Sequence, residues 1–294
     1  MRILLLCLFS LLAACQSHQA AAPPAPIAPQ GRDHTDFGVI RELATGRALT
    51  PQELVEHLAG APRVLVGEQH DNPDHHALQL WLLRELAAQR PQGSLLMEML
   101  NPDQQARVDA AQAASRAGQP PADPYQALAW QANWDWGVYG AVVHYALRQP
   151  YPLLAANLDR SQILQIYQQR PTLSGEASTT PQVQATLLDD IRGSHCGLLP
   201  EALLPAMLAV QQQRDRRMAE RLLAAPTPAL LLAGAFHVRK DLGVPLHLKD
   251  LGAAQGNVVL VLAEAGKTVS AENADYVWYT AAQPEQDHCA QLRQ

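Results

Sequence analysis

Long apolar runs are missing. None reaches the ~20 residues that a membrane-crossing helix requires, so the chain does not read as a multi-pass membrane protein. Charge is sparse at 17% of residues, and basic charge is the scarcer kind, with 22 Lys and Arg against 28 Asp and Glu. A formal net charge of -6 argues against a nucleic-acid binder, which needs a basic footprint to displace counterions from phosphate. There is no G-x-S-x-G elbow, no Walker A loop and no H-E-x-x-H, so serine-esterase chemistry, nucleotide hydrolysis and the zincin type of metalloprotease are unsupported. Cysteine is scarce as well, with four in the chain. What is plentiful is apolar material, 48% of 294 residues, enough for one large domain or two modest ones with a buried core.

The first fifteen residues read as an export signal. Met1-Arg2 is a short basic start, Ile3 to Leu12 is apolar, and small Ala13-Ala14 precede Cys15 in the L-A-A-C pattern of a bacterial lipobox. Residues 1–15 are therefore expected to be a lipoprotein signal peptide, with Cys15 the lipidated new N-terminus; an ordinary secretory signal is the alternative. Gln16 stands where Asp would mark inner-membrane retention, which directs the expectation to a lipid anchor in the bacterial outer membrane. Residues 16–35, rich in Ala, Pro and Gln, read as a flexible tether that anchors a domain to the bilayer without spanning it. Cys196 and Cys289 remain, and in an oxidising compartment they could pair in a disulfide or stay as two thiols.

Residues 36–294 read as one α/β domain. Short unbroken apolar runs at 63–66, 94–97, 152–156, 229–233, 258–262 and 276–279 have the character of strands covered on both faces, as in a parallel sheet. Helical spacing appears between them at 76–88, 160–169, 182–191 and 200–225. The alternation predicts a mostly parallel central sheet with helices on both faces. Residues 102–149, with Trp130, Trp134 and Trp136, are expected to form a helical insertion at one edge, and 160–225 another.

In such sheets ligands bind beyond the carboxyl ends of the strands. The apolar runs stop at Glu68 and His70, at Glu98, at Asn157 and Arg160, and at His237. Taken singly, each of these has a plain structural reading as a capping or loop residue. Together they predict a common polar rim. Two His and two Glu could bind a divalent metal and activate water for attack on an ester or peptide carbonyl, with Glu68 or Glu98 as general base. A lipoprotein whose strand-end residues only cap helices is the blandest alternative.

The lipobox, G-E-Q-H-D-N-x-x-H-H (67–76), M-E-M (97–99), W-D-W-G-V-Y-G (134–140), A-A-N-L-D-R (155–160), H-C-G-L-L-P (195–200) and G-A-F-H-V-R-K-D-L-G-V-P (234–245) together resemble the ChaN family, also called PhuW-type, of haem-binding outer-membrane lipoproteins in a superfamily with the erythromycin esterases and Tiki proteases. The resemblance covers roughly residues 36–289. It implies an EreA/ChaN-like fold and a role in iron and haem uptake. It also implies a homodimer holding two stacked haems, each iron bound by a tyrosine of one subunit while His and Lys of the other hold the propionates, and a haem-uptake receptor as a further partner. Tyrosine ligation of haem iron is chemically sound. Among Tyr125, Tyr139, Tyr145, Tyr151, Tyr167, Tyr276 and Tyr279, the family segment at 134–140 selects Tyr139, which could equally be a helix residue packed on Trp134 or Trp136. For the haem propionates His70, Arg239 and Lys240 are the candidates. With three Phe and five Trp in the chain, Leu and Met must help wall any haem site.

Overall fold

The structure is a computed structural model that describes residues 19–287 and 289–290. Residues 1–15, expected to be a signal peptide, and the expected lipidation site Cys15 lie outside the described residues. Eight strands form one sheet in the order β2-β1-β8-β7-β3-β6-β4-β5. Strands β3 (Arg63–Glu68), β4 (Ser94–Met97), β5 (Leu153–Ala155), β6 (Ala229–Gly234), β7 (Asn257–Glu264) and β8 (Tyr276–Thr280) are mutually parallel. Two short strands escape the apolar-run criterion. These are β1 (Ile40–Glu42), antiparallel to β8, and β2 (Ala48–Leu49) beyond it.

Alternation along each strand divides the core into two layers. On β3, Val64 and Val66 face one layer with Leu230 and Leu232, while Leu65 faces the other with Leu231. The first layer is covered by α1 (Pro51–Ala59), α2 (Pro73–Gln89), α3 (Gln105–Arg116) and α5 (Trp136–Ala146), the last preceded by the single turn α4 (Pro124–Ala127). The second is covered by α8 (Leu204–Ala224) and α10 (Val244–Asp250), which contribute Met218, Leu222, Val244 and Leu248. Flanking it are α6 (Arg160–Gln169), α7 (Pro181–Ser194) and the short α9 (Ala235–Val238). Both faces of the parallel strands are thus dry, which is why their sequences read as unbroken apolar runs.

The helix following β3 and the helices around β6 lie on opposite faces, so a crevice opens at the carboxyl ends of β3, β6 and β7. Local chemistry starts each element there. Asn72 caps α2 by accepting from the Asp74 N–H, with Pro73 at the first turn. Asp135 caps α5 in the same way through the Gly137 N–H.

The expected tether at 16–35 is corrected over its described part. From Ala20 to Gln30 the chain is laid against the domain. Trp81 Nε1 donates to the Ala21 carbonyl at 3.1 Å, and the N–H groups of Ile27 and Ala28 donate to Asp74 Oδ1 at 2.5 and 3.2 Å. The Ala21 N–H donates to Glu85, Ala28 is 1% exposed, and Gln30 bridges to Ala282. Composition alone misleads here. Pro23, Pro24, Pro26 and Pro29 lower the entropy lost on ordering, and two buried carboxylates accept the N–H groups that remain. At the other end Cys196 and Cys289 form a disulfide with their Cα atoms 5.7 Å apart, fastening the C-terminal segment beside the end of α7.

Candidate functional site

Two copies of one spacing build the rim: Gly67-Glu68-Gln69-His70 at the end of β3 and Gly234-Ala235-Phe236-His237 at the end of β6, neighbouring parallel strands. Both glycines are needed for close approach. A methyl at Gly67 would strike Val238 and Ala235, and one at Gly234 would lie 2.8 Å from His70 Nε2. The repeated Gly-x-x-His spacing was available in the sequence and is the signal that pairs the two strand ends.

Glu68 is the hub of the first half. Its side chain is fully buried and accepts hydrogen bonds from the Tyr139 hydroxyl, from Gln79 Nε2 on α2, and from His70 Nδ1 at 3.0 Å. His76 Nδ1 lies 3.2 Å away but off hydrogen-bond geometry, and His76 Nε2 donates instead to the His70 carbonyl. Because a carboxylate only accepts, the proton sits on His70 Nδ1, and Nε2 lies over Gly234 with no hydrogen-bond partner among the described residues. Burial works to lower the pKa of His70, but the Glu68 hydrogen bond and the Glu98 charge outweigh it, and the net shift is upward. Trp134, from the insertion, meets the His70 ring edge-on with centroids 4.9 Å apart.

The second half is a buried charge ladder. Glu98, beyond the end of β4, accepts from the Gly234 N–H at 2.8 Å and lies 3.3 Å from His237 Nε2. His237 Nδ1 lies 2.5 Å from Asp215 on α8. Burial alone would lower the pKa of His237, yet the two flanking carboxylates hold it up at about 10, an imidazolium at neutral pH. Burial would likewise raise Glu98, but His237 draws it well below the ordinary 4.5. Sequence reasoning missed Asp215 and Gln79. The clue to each was a polar residue on the apolar stripe of its helix.

Glu68, His70, Glu98 and His237 do converge. The other predicted residues divide. Asn157 is buried but structural, donating to the Glu98 carbonyl and accepting from the Leu158 N–H. Arg160 opens α6 in an exposed position and does not reach the rim. The metal expectation is not met, since among the described residues no group of three or more His, Cys, Asp and Glu is arranged to hold an ion. The reason is that the oxygens of Glu68 and Glu98 are already committed to Tyr139, Gln79, His70, Gly234 and His237.

The assignment of Tyr139 as an iron ligand is also corrected. It is 1% exposed, and its ring packs on Trp130 and Trp134. Burial first, then the Glu68 charge, drives its pKa far above the ordinary 10, so the hydroxyl stays neutral and faces Glu68 instead of a ligand. No tyrosine lines either recess at the rim.

The main recess at the rim is a cleft of about 470 Å³, walled by Val261, Leu262, Ala263 and Val269, with His70, Arg239 and Lys267 at its polar edge. A smaller recess of about 170 Å³, backed by Leu187 and Ile191 of α7, lies on the other side of Phe236 and His70. Phe236 between them is 61% exposed, a large apolar ring held in water. Arg239 is paired with Asp241 at 2.6 Å, and Lys240 is turned away to Asp275 at 2.6 Å, so the Lys240 expectation is corrected too. Lys267, unnoticed in the sequence, is exposed and has no ionic partner among the described residues. An apolar wall, an exposed aromatic face and cations at one edge suit a flat, largely apolar ligand with anionic groups on one side.

Comparison with known proteins agrees with this description. The family described as haem-binding uptake, Tiki superfamily, ChaN matches residues 54–248. The structure of ChaN of Campylobacter jejuni, described as showing cofacial haem binding, superimposes with a TM-score of 0.75 at 31% identity, covering 84% of this chain and 98% of that one. A mutant of the erythromycin esterase EreC in its open conformation superimposes with a TM-score of 0.47 at 13% identity, covering 82% and 83%. Comparison of the sequence with curated proteins finds no match.

Proposed function

This chain belongs to the ChaN family of haem-binding uptake proteins in the Tiki superfamily, and on that premise we propose that it binds haem at the rim of its parallel sheet and stores or passes it during iron acquisition. The observation that carries the reading is Phe236, exposed beside His70 over the apolar cleft. Its ring would stack on the macrocycle, against aliphatic walls that replace the aromatic surface this chain lacks. His70, which lines the cleft with a raised pKa, would meet a propionate together with Lys267, and Arg239 would add to the field from its ion pair with Asp241.

The tyrosine ligand and the dimer belong to the same proposal. Since no tyrosine lines the cleft, the ligand comes from a second copy. Tyr167 on α6 is the choice, half-exposed and with neither a hydroxyl hydrogen bond nor a ring partner among the described residues. When bound, the iron would supply a hard ferric centre suited to a phenolate. Cys15 would carry the lipid that holds the protein in the outer membrane, and a haem-uptake receptor would be its exchange partner.

Hemin titration of the soluble chain, followed by absorbance and by mass in solution, tests the reading. A Soret band that saturates at one haem per chain, with a dimer forming on loading, is the expected result. Absence of saturable binding overturns it. A second reading rests on the Glu68–His70 pair, which is also a general-base arrangement for ester hydrolysis. Esterase activity abolished by His70→Ala in the haem-free protein would favour it.

A further inference from the structure

Helices that pack on one another ordinarily meet through apolar stripes, and α6 against α8 does not. Toward their junction α6 presents Gln162, Gln165, Ile166 and Gln169, and α8 presents Gln213, Arg216, Arg217 and Glu220. Each set follows the i, i+3, i+4, i+7 spacing of one helix face, so the place of a hydrophobic seam is taken by seven polar side chains and one isoleucine. α6 buries no side chain at all. Between the two stripes lies a recess of about 350 Å³, its wall completed by Leu158 and Pro171. It shares no lining residue with the two recesses at the rim, and Tyr167 lines no part of it.

These polar groups are not spent on one another. Arg216 is 8% exposed, yet its guanidinium has one acceptor, the Ser174 carbonyl, and its buried Nε has none. The side chains of Arg217 and Gln213 make no hydrogen bond among the described residues, and neither arginine forms an ion pair there, with Glu220 or with any other acid. Asp215, next to Arg216 in the chain, is bound to His237. A guanidinium nine-tenths buried without a counterion is costly unless an anion meets it. Two guanidiniums stand against one carboxylate in this recess, in a chain whose net charge is -6.

We propose that the recess between α6 and α8 is a binding site for a phosphate monoester carried on a hydroxyl-rich molecule, of the chemical class of a sugar phosphate. The site is separate from the rim and independent of the haem reading. Guanidinium forks match phosphate oxygens, and a phosphate monoester brings a charge of roughly -1.5 to -2 for the two arginines to neutralise. The carboxamides of Gln165, Gln169 and Gln213 can each donate and accept, as a hydroxyl does, and Gln162, whose oxygen takes the Asp159 N–H, keeps its amino group. No aromatic ring lines the recess, so it lacks the stacking surface that a nucleobase or a macrocycle would use. Glu220 in the same recess opposes a polyanion.

The test uses the haem-free full-length chain, purified in a neutral detergent, in calorimetric titrations with glucose 6-phosphate, inorganic phosphate and glucose. One saturable site for glucose 6-phosphate, at least about tenfold tighter than for inorganic phosphate and absent for glucose, is expected. Arg217→Gln, at a part-exposed side chain with no hydrogen bond to lose, should weaken glucose 6-phosphate by at least about tenfold and leave hemin titration unchanged. Gln213→Ala should weaken glucose 6-phosphate but not inorganic phosphate, and Arg107→Gln on α3 should alter neither. The same headgroup chemistry can arrive on a lipid, so dioctanoyl phosphatidylinositol 4-phosphate is titrated in parallel. Binding about tenfold tighter than glucose 6-phosphate assigns the site to a lipid headgroup, and equal or weaker binding assigns it to a soluble ligand. Inorganic phosphate bound as tightly as glucose 6-phosphate, or binding that ignores Arg217→Gln, means an adventitious ion only and overturns the proposal, as does failure of both phosphorylated probes to bind. Loss of haem binding in Arg217→Gln would place the arginines in the haem site and overturn the separation of the two.

Discussion

The hydroxyl of Tyr139, at the first turns of α5, donates to the carboxylate of Glu68 at the end of β3, 71 positions earlier in the chain. This bond joins the tryptophan-rich insertion to the central sheet. It also leaves His70 Nδ1 3.0 Å from both groups, so the imidazole is clamped at one nitrogen and open at the other. Tyr139 acts on the ligand site through Glu68 and His70, not by reaching the ligand.

Tyr139→Phe should accordingly leave the absorption spectrum of the haem complex in place. It removes one donor from a buried carboxylate, for a stability loss of about 1–3 kcal/mol in denaturant melts. Tyr167→Phe should do the reverse, abolishing the ferric tyrosinate spectrum without measurable loss of stability. A spectrum lost in Tyr139→Phe would return the ligand role to that residue.

Phe236→Ala should weaken haem binding by about tenfold, the equivalent of ~1.4 kcal/mol, because a ring already in water gains burial only when the ligand arrives. Its thermal unfolding should match that of the parent protein, and hemin titration reads the affinity. Unchanged affinity would place the haem elsewhere.

Gly234→Ala tests the crowding at the rim. A methyl there collides with His70 Nε2 and Cε1, at 2.8 and 2.9 Å, so the part-exposed imidazole has to shift from its place beside Glu68. The variant should fold and bind haem as weakly as His70→Ala. Parent-like affinity would show that the position of His70 does not matter.

Stability should depend on pH through the Glu98–His237 pair. The pKa of His237 is raised from 6.5 to about 10, so its contribution is complete below pH 6.5 and is lost as pH rises through 10. The pKa of Glu98 is depressed below 4.5, so its contribution is complete above pH 4.5 and is lost as pH falls. Melting temperatures should hold a plateau between these limits and decline from pH 6.5 toward 10, with a flatter alkaline limb in His237→Gln. An equally steep limb in that variant would assign the decline to other groups.

Cys289→Ser opens the loop of 93 residues closed by the disulfide and should lower stability by about 2–4 kcal/mol. Thiol titration of the unfolded parent protein should find neither Cys196 nor Cys289 reactive until a reductant is added.

The parallel sheet was legible in the sequence because its strands are dry on both faces, which writes each of them as an uninterrupted apolar run from β3 through β8. The rim was legible for the same reason, since Glu68, Glu98 and His237 stand where those runs stop and packing no longer dictates residue type. β1 and β2 were not, because two or three residues at a sheet edge carry too little pattern to separate from a loop. What each rim residue does was decided only by tertiary contacts. Gln79 and Asp215 come from the helices that follow β3 and precede β6, 11 and 22 positions from the rim residues they bond, and they determine which oxygens and nitrogens are already spoken for. Tyr139 sat in the right motif but on the inward side of its helix, a matter of rotation that spacing against a single motif does not settle. Phe236 and Lys267 became visible once exposure could be read, because a phenylalanine in sequence carries no mark of whether water or a neighbour covers it. The proline-rich segment was misread because composition reports the entropy of a chain but not the carboxylates of Asp74 and Glu85 waiting on α2 to receive it.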